Sequence, residues 1–174
     1  MRRNVAILIF PEVEVLDFAG PFEVFAVTGE LNAGTFHPFT VAEAPADVRA
    51  RNGLRIVPDF TLDTAPSPQV LVVPGGAGTR ALLKKPAVLE WIRSQARGAE
   101  VVASVCTGSL VLAAAGLLTG LRAPTHYENF AELAALAPGT DVVEDVRFTD
   151  NGRVLTAAGI SAGTPTTGTR CFSA

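Results

Sequence analysis

Short apolar runs recur along the chain, each closed by a glycine, a proline or a charged turn. Residues 4–10 (NVAILIF) are apolar over a strand's length, the pattern of a strand buried on both faces of a parallel sheet. The runs at 69–73 (QVLVV) and 100–104 (EVVAS) repeat it, and 37–43 (HPFTVAE) reads as a further strand. Between these runs the spacing turns helical. Val15, Phe18, Phe22, Phe25 and Ala26 predict a helix within 12–27, with Gly20-Pro21 as its start and Asp17 on the turn before it. Further helices are predicted at 79–83, at 86–97 with Pro86 in the first turn, after Cys106, and at 128–136.

The remaining segments are connections and smaller strands. Residues 29–34 are a Gly-rich loop, and 44–65 are irregular with a hairpin turned at Asn52-Gly53. Residues 122–125 read as a short strand, and 142–148 with 153–157 as a hairpin or neighbouring strands turned at Asp150-Asn151-Gly152. Strands alternating with helices predict one α/β domain with a largely parallel sheet and helices on both faces. Ligands of such sheets bind at the carboxyl ends of the strands. Asp17, Gly75-Gly76 and Cys106 each follow a predicted strand, so three distant segments converge there.

Composition narrows the function classes. The 174 residues, 48% of them hydrophobic, suffice for one substantial core. A net charge of -3 offers no basic field for nucleic acid or an anionic membrane surface. Pro11, Glu12, Glu14 and Asp17 cut the N-terminal apolar run too short for a signal peptide, and no stretch nears the roughly 20 apolar residues of a membrane span. Two cysteines form neither a disulfide framework nor a zinc spacing, so the expectation is a cytoplasmic protein without a metal. Gly75-Gly76-Ala77-Gly78 lacks the spacing of a phosphate loop or dinucleotide fingerprint.

The chemistry centres on 99–115 (AEVVASVCTGSLVLAAA), which reads strand, cysteine, helix. Cys106 in Ser104-Val105-Cys106-Thr107-Gly108 is a near relative of the nucleophile elbow, which presses its side chain out beside unpaired helix N-H groups. That placement predicts a lowered thiol pKa and covalent chemistry, against the alternative of a packed core cysteine. The N-H groups of Gly76 and Thr107, on turns at two strand ends, are the natural donors for a developing negative charge, with Gly75 in the same turn. Asp17 is either a helix-capping carboxylate or an acid-base group whose pKa is raised by Leu16 and Phe18. His126 is either structural or an orienting or acid-base partner, while His37 falls on the surface and Cys171 in the Thr- and Gly-rich tail.

Five pieces together resemble a known family: LDFAGPFEVF at 16–25, VVPGG at 72–76, SVCTG at 104–108, Thr125-His126, and TAAG at 156–159. They are similar to the ThiJ/PfpI superfamily of class I glutamine amidotransferase-like proteins, above all to its isonitrile hydratases and to the amidotransferase-like domains of AraC-type regulators. The resemblance spans about 4–163. It implies a flavodoxin-like three-layer sandwich as a single domain over 1–163, a homodimer, and no cofactor. It also implies a reaction on a small molecule: a cysteine adds to an isonitrile carbon to give a thioimidate, and water releases an N-substituted formamide. Carried over by motif, Cys106 is the nucleophile, Asp17 its acid-base partner, and Gly75, Gly76 and Thr107 the polar cradle. Thr107 stands where the peptidase-like branch has histidine, which argues against protease activity. Two other readings stay open, a ligand-sensing or stress-response domain with weak turnover and a thiol enzyme acting on small aldehydes.

The resemblance has two departures. After Ser161 to Gly163 the family continues with an apolar helix, whereas 164–174 begins Thr-Pro-Thr-Thr-Gly and is an atypical tail. A missing helix there would uncover a sheet face, predicting a partner surface or reduced stability. No helix-turn-helix region follows, so a complete regulator is not expected.

Overall fold

The computed structural model describes residues 2–159. The readings made for Gly163, for Cys171 and for the tail lie outside them. The chain runs β1 (Arg3–Leu8), α1 (Val15–Leu31), β2 (Phe36–Ala42), β3 (Val48–Arg49), β4 (Arg55–Ile56), β5 (Phe60–Thr61), β6 (Val70–Val73) and α2 (Thr79–Leu82). It continues α3 (Pro86–Gly98), β7 (Val101–Val105), α4 (Gly108–Ala114), β8 (Arg122–Ala123), α5 (Phe130–Leu136), β9 (Asp141–Val142), β10 (Phe148–Asp150) and β11 (Val154–Ala157).

Seven strands make the main sheet in the order β10-β11-β7-β6-β1-β2-β5. Every neighbouring pair is parallel except β10–β11. Successive side chains of a strand point to opposite faces, so full burial of Val5, Ala6 and Ile7 in β1 means that both faces are covered. The same holds for Leu71, Val72 and Val73 in β6. Each large aliphatic side chain buried in this way contributes about 1.5–3 kcal/mol. Helices packed around a mostly parallel sheet make a flavodoxin-like α/β sandwich, as expected.

The topology fixes where the chemistry sits. From β1 the chain moves to β2 on one side and returns to β6 on the other. Winding therefore reverses between β1 and β6, which opens a crevice at their carboxyl ends. Asp17 follows β1, Gly75 follows β6, and Cys106 follows the adjacent β7.

Local differences from the sequence reading have physical causes. Helix α1 starts at Val15 and carries Pro21 inside it, so Asp17 lies in its first turn rather than on a preceding loop. The Glu14 N-H, bonded to the Gly75 carbonyl at 2.9 Å, anchors that start, and burial of Phe18, Pro21 and Phe25 offsets the bond that proline cannot make. The helix also runs through Gly29, read as loop. Residues 142–148 do not form one strand: Val142 ends β9, which pairs with β8, and only Phe148 reaches the antiparallel β10–β11 pair. The hairpin around Asn52-Gly53 is present as β3–β4, with Asn52 at φ 65°.

Candidate active site

Cys106 stands at the sharp junction of β7 and α4 with φ 55°, a left-handed conformation that costs a non-glycine residue about 1–2 kcal/mol. The surroundings hold it there. Its N-H donates to the Ala157 carbonyl at 2.9 Å, and its own carbonyl accepts the hydroxyls of Ser109 at 3.2 Å and Thr125 at 3.3 Å. The elbow predicted from small residues around the cysteine is therefore formed.

Gly75 and Gly76 bring β6 against this elbow. A Cβ on Gly75 would stand 2.7 Å from the Thr107 nitrogen and 2.8 Å from Asp17 Oδ2, so only glycine fits. Gly76 has φ 127°, and a Cβ there would meet the Glu12 carbonyl at 2.3 Å. The Gly75 N-H donates to Asp17 Oδ2 at 3.0 Å and the Gly76 N-H to Thr107 Oγ1 at 3.0 Å. Sequence reasoning assigned the Gly76 N-H to a developing charge. In the structure the Thr107 hydroxyl accepts it, so the hydroxyl must turn away before that donor can serve a substrate. The Thr107 backbone N-H and hydroxyl both favour the charged form of the Cys106 thiol.

Asp17 is fully buried, and its Oδ1 makes no hydrogen bond among the described residues. Burial raises its pKa to about 7; the bond from Gly75 pulls it back, Glu14 pushes it up, and the Cys106 side chain pulls it back slightly. The rise was expected. Its cause is the carboxyl's own enclosure, since Leu16 is half exposed.

The thiol corrects the prediction of a lowered pKa. Burial first, and the Asp17 charge second, push Cys106 up to about 12 against the opposing bonds from Thr107. Helix α4 is seven residues long, and its N-terminal field is outweighed by desolvation and a neighbouring carboxylate. Near neutral pH the site is therefore a carboxyl on the edge of ionisation beside a protonated thiol. A carboxylate so placed can accept a proton from the thiol without a standing thiolate.

Cys106 opens on a cleft of about 290 Å³ whose wall also includes Glu14, Arg51, Arg80, Thr107 and His126, with Asp17 buried and outside its lining. His126 faces the same cleft as the cysteine, but its hydrogen bond runs to the Glu128 N-H rather than to Cys106 or Asp17. The carboxylates whose charge acts on Cys106 are Asp17 and then Glu14, and His126 lies on the cleft wall. His37, placed on the surface by its sequence, is half-buried in β2 with its ring 5.8 Å from Phe39.

Several polar residues of the site escaped sequence reasoning. Glu14 lies three residues before Asp17, and Arg51 reaches it from the β3–β4 turn at 3.0 Å. Arg80 forms a two-point pair with Glu132, at 3.1 and 2.6 Å, and Asn129 donates to the same carboxylate. The buried Thr79 hydroxyl donates to the Gly76 carbonyl and accepts from Arg80, tying the mouth to the turn. The i, i+3 spacing of Glu14 and Asp17 was a readable signal. Arg51 had none, because its position depends on how the hairpin folds back. Among the described residues no cluster of three or more His, Cys, Asp or Glu could hold a metal ion, and no helix is long and apolar enough to cross a membrane.

Known proteins share this fold and much of this sequence. The chain is 40% identical over 163 residues to the isonitrile hydratase of Pseudomonas putida, covering 94% of this chain and 68% of that protein. It is 28% identical over 163 residues to the HTH-type transcriptional regulator CdhR of Pseudomonas aeruginosa, covering 93% of this chain and only 48% of the regulator. A ThiJ/PfpI family protein from Pseudomonas syringae superposes with a TM-score of 0.87 at 30% identity, over 98% of this chain and 68% of that one. The pattern of the DJ-1/PfpI family matches residues 3–165, and with the crevice, the strained cysteine and the buried carboxyl already in place, the chain belongs to the DJ-1/PfpI family.

Proposed function

We propose that the protein is a cysteine-dependent, cofactor-independent isonitrile hydratase-like enzyme. The observation that carries this reading is the strained Cys106 elbow with the fully buried Asp17 carboxyl, held by the Gly75 N-H, close enough for each to act on the other's charge. Hydration of R–N≡C requires sulfur and hydrogen to add to the same carbon. Sulfur forms the S–C bond while the thiol proton passes by way of the Asp17 carboxylate to that carbon, leaving the thioimidate R–N=CH–S. Water then adds, the C–S bond breaks, and R–NH–CHO leaves with the thiol restored. The Thr107 N-H supports the sulfur throughout, and Gly75 fixes the carboxyl.

The 40% identity to the Pseudomonas putida isonitrile hydratase supports the same reading. Likeness to a regulator favours a second one, in which the cleft binds a ligand and releases it unchanged. A panel of cyclohexyl isocyanide, methylglyoxal and candidate ligands, with products identified by mass spectrometry, separates the outcomes. Formamide made from the isocyanide supports the hydratase; a hydroxy acid from methylglyoxal, or tight binding without conversion, replaces it.

A further inference from the structure

Isonitrile hydration places two hydrogens on the substrate, and the path from the Cys106 thiol by way of Asp17 supplies the one on carbon but not the one on nitrogen. Resting on the hydratase reading above, we propose that His126 is the proton donor to the substrate nitrogen in the hydrolytic half of the reaction.

Position is the first argument. His126 lines the Cys106 cleft and also a neighbouring cavity of about 450 Å³, whose wall includes Leu16, Tyr127, Phe130, Val146 and Ala158. An isonitrile is linear: carbon, then nitrogen, then the substituent. With the carbon on the Cys106 sulfur and the substituent directed into the largely apolar second cavity, the C=N bond of the bent thioimidate passes beside the wall that the two share. His126 is the side chain with hydrogen-bonding nitrogens on that wall.

The ring's own contacts are the second argument. Nδ1 accepts the Glu128 N-H at 3.4 Å, which leaves the proton of the neutral ring on Nε2. When the ring is protonated, Glu128 Oε2, 3.8 Å from Nδ1, is its counter-ion and Nε2 still bears a proton. Packing on Tyr127, with ring centroids 4.4 Å apart, holds the imidazole in place. Other donor side chains of the cleft are engaged: Arg51 and Arg80 are ion-paired and too basic to give up a proton, Asn129 is bonded to Glu132, and the Thr107 hydroxyl is bonded to the Gly76 backbone.

The step balances. Water forms an O–C bond to the thioimidate carbon, the C=N pair moves onto nitrogen, and nitrogen takes the Nε2 proton of the imidazolium. The neutral ring recovers a proton from the added water. Collapse then forms C=O, breaks C–S, and returns the hydroxyl proton to sulfur by way of Asp17. The first half needs no proton on nitrogen, so the two halves separate experimentally.

The test is intact-mass spectrometry of protein mixed with cyclohexyl isocyanide, with formamide release followed in parallel. His126→Phe should form the covalent Cys106 adduct at the wild-type rate, accumulate it, and release formamide about 10²-fold more slowly. In His126→Gly, added imidazole should restore release without changing adduct formation. Adduct that clears from His126→Phe at the wild-type rate overturns the proposal. So does equal loss of both halves in a variant with wild-type circular dichroism. Wild-type protein that forms neither adduct nor formamide refutes the hydratase reading itself, and the donor role with it.

Discussion

A carboxyl group as enclosed as Asp17 is poorly stabilised as an anion, and this has a measurable consequence for stability. Between about pH 4 and about pH 7 the folded protein keeps the Asp17 proton while the unfolded chain has lost it, because the folded-state pKa is raised from 3.8 to about 7. Stability from this group is therefore full below the unfolded pKa and is lost as pH rises through the folded one. Asp17→Asn removes the penalty and keeps an acceptor for the Gly75 N-H. The variant should match wild type near pH 4 and exceed it above pH 7 by a few kcal/mol, a Tm gain of several degrees. Thermal melts across that range check it, and a pH-independent difference contradicts it. The thiol gives a companion prediction. Iodoacetamide labelling of Cys106 should accelerate up to and beyond pH 10 in wild type, and Asp17→Asn should bring the rise to lower pH. A wild-type midpoint below pH 8 would restore the low-pKa thiol that the sequence suggested. Both residues were legible because each follows an apolar strand in a turn. The direction of the thiol's shift was not, since local sequence shows a helix start but not the burial and the distant carboxyl that outweigh it.

At the scale of elements, the elbow depends on strain in one place and close approach in another. Replacing Cys106 by glycine relieves the φ of 55°, so Cys106→Gly should be more stable than Cys106→Ala by about 1 kcal/mol in denaturant unfolding. Equal stability would mean that the turn relaxes when the thiol is lost. Gly75→Ala works the other way: its Cβ meets backbone and carboxyl atoms within 2.8 Å, so it should cost about 1–3 kcal/mol and displace Asp17, lowering turnover as well. Buried strands such as β1 and β6 were readable as unbroken apolar runs. The start of α1 was not, because proline normally opens a helix and here tertiary anchoring of Glu14 on Gly75 sets the start six residues earlier than the proline. The two-residue β5 is too short for any periodicity and is defined by pairing with β2.

For the whole molecule, the reversal of winding between β1 and β6 brings three segments together, and alternation of strands with helices was enough to foresee that convergence. The polar rim was not foreseen, since Arg51, Arg80 and Glu132 come from a turn and two helices with no shared motif. We propose a homodimer, and half-exposed Leu16, exposed Tyr127 and partly exposed Phe148 are apolar surface that could serve it. Light scattering should give twice the chain's 18.1 kDa; a monomer at micromolar concentration contradicts it. The central claim is that Cys106 and Asp17 together hydrate an isonitrile, and one measurement tests it most directly. N-cyclohexylformamide formation from cyclohexyl isocyanide should be catalysed by the wild-type protein, abolished in Cys106→Ala, and lowered about 10²-fold or more in Asp17→Asn. Absence of formamide from wild type, or undiminished formation by Cys106→Ala, would contradict the account.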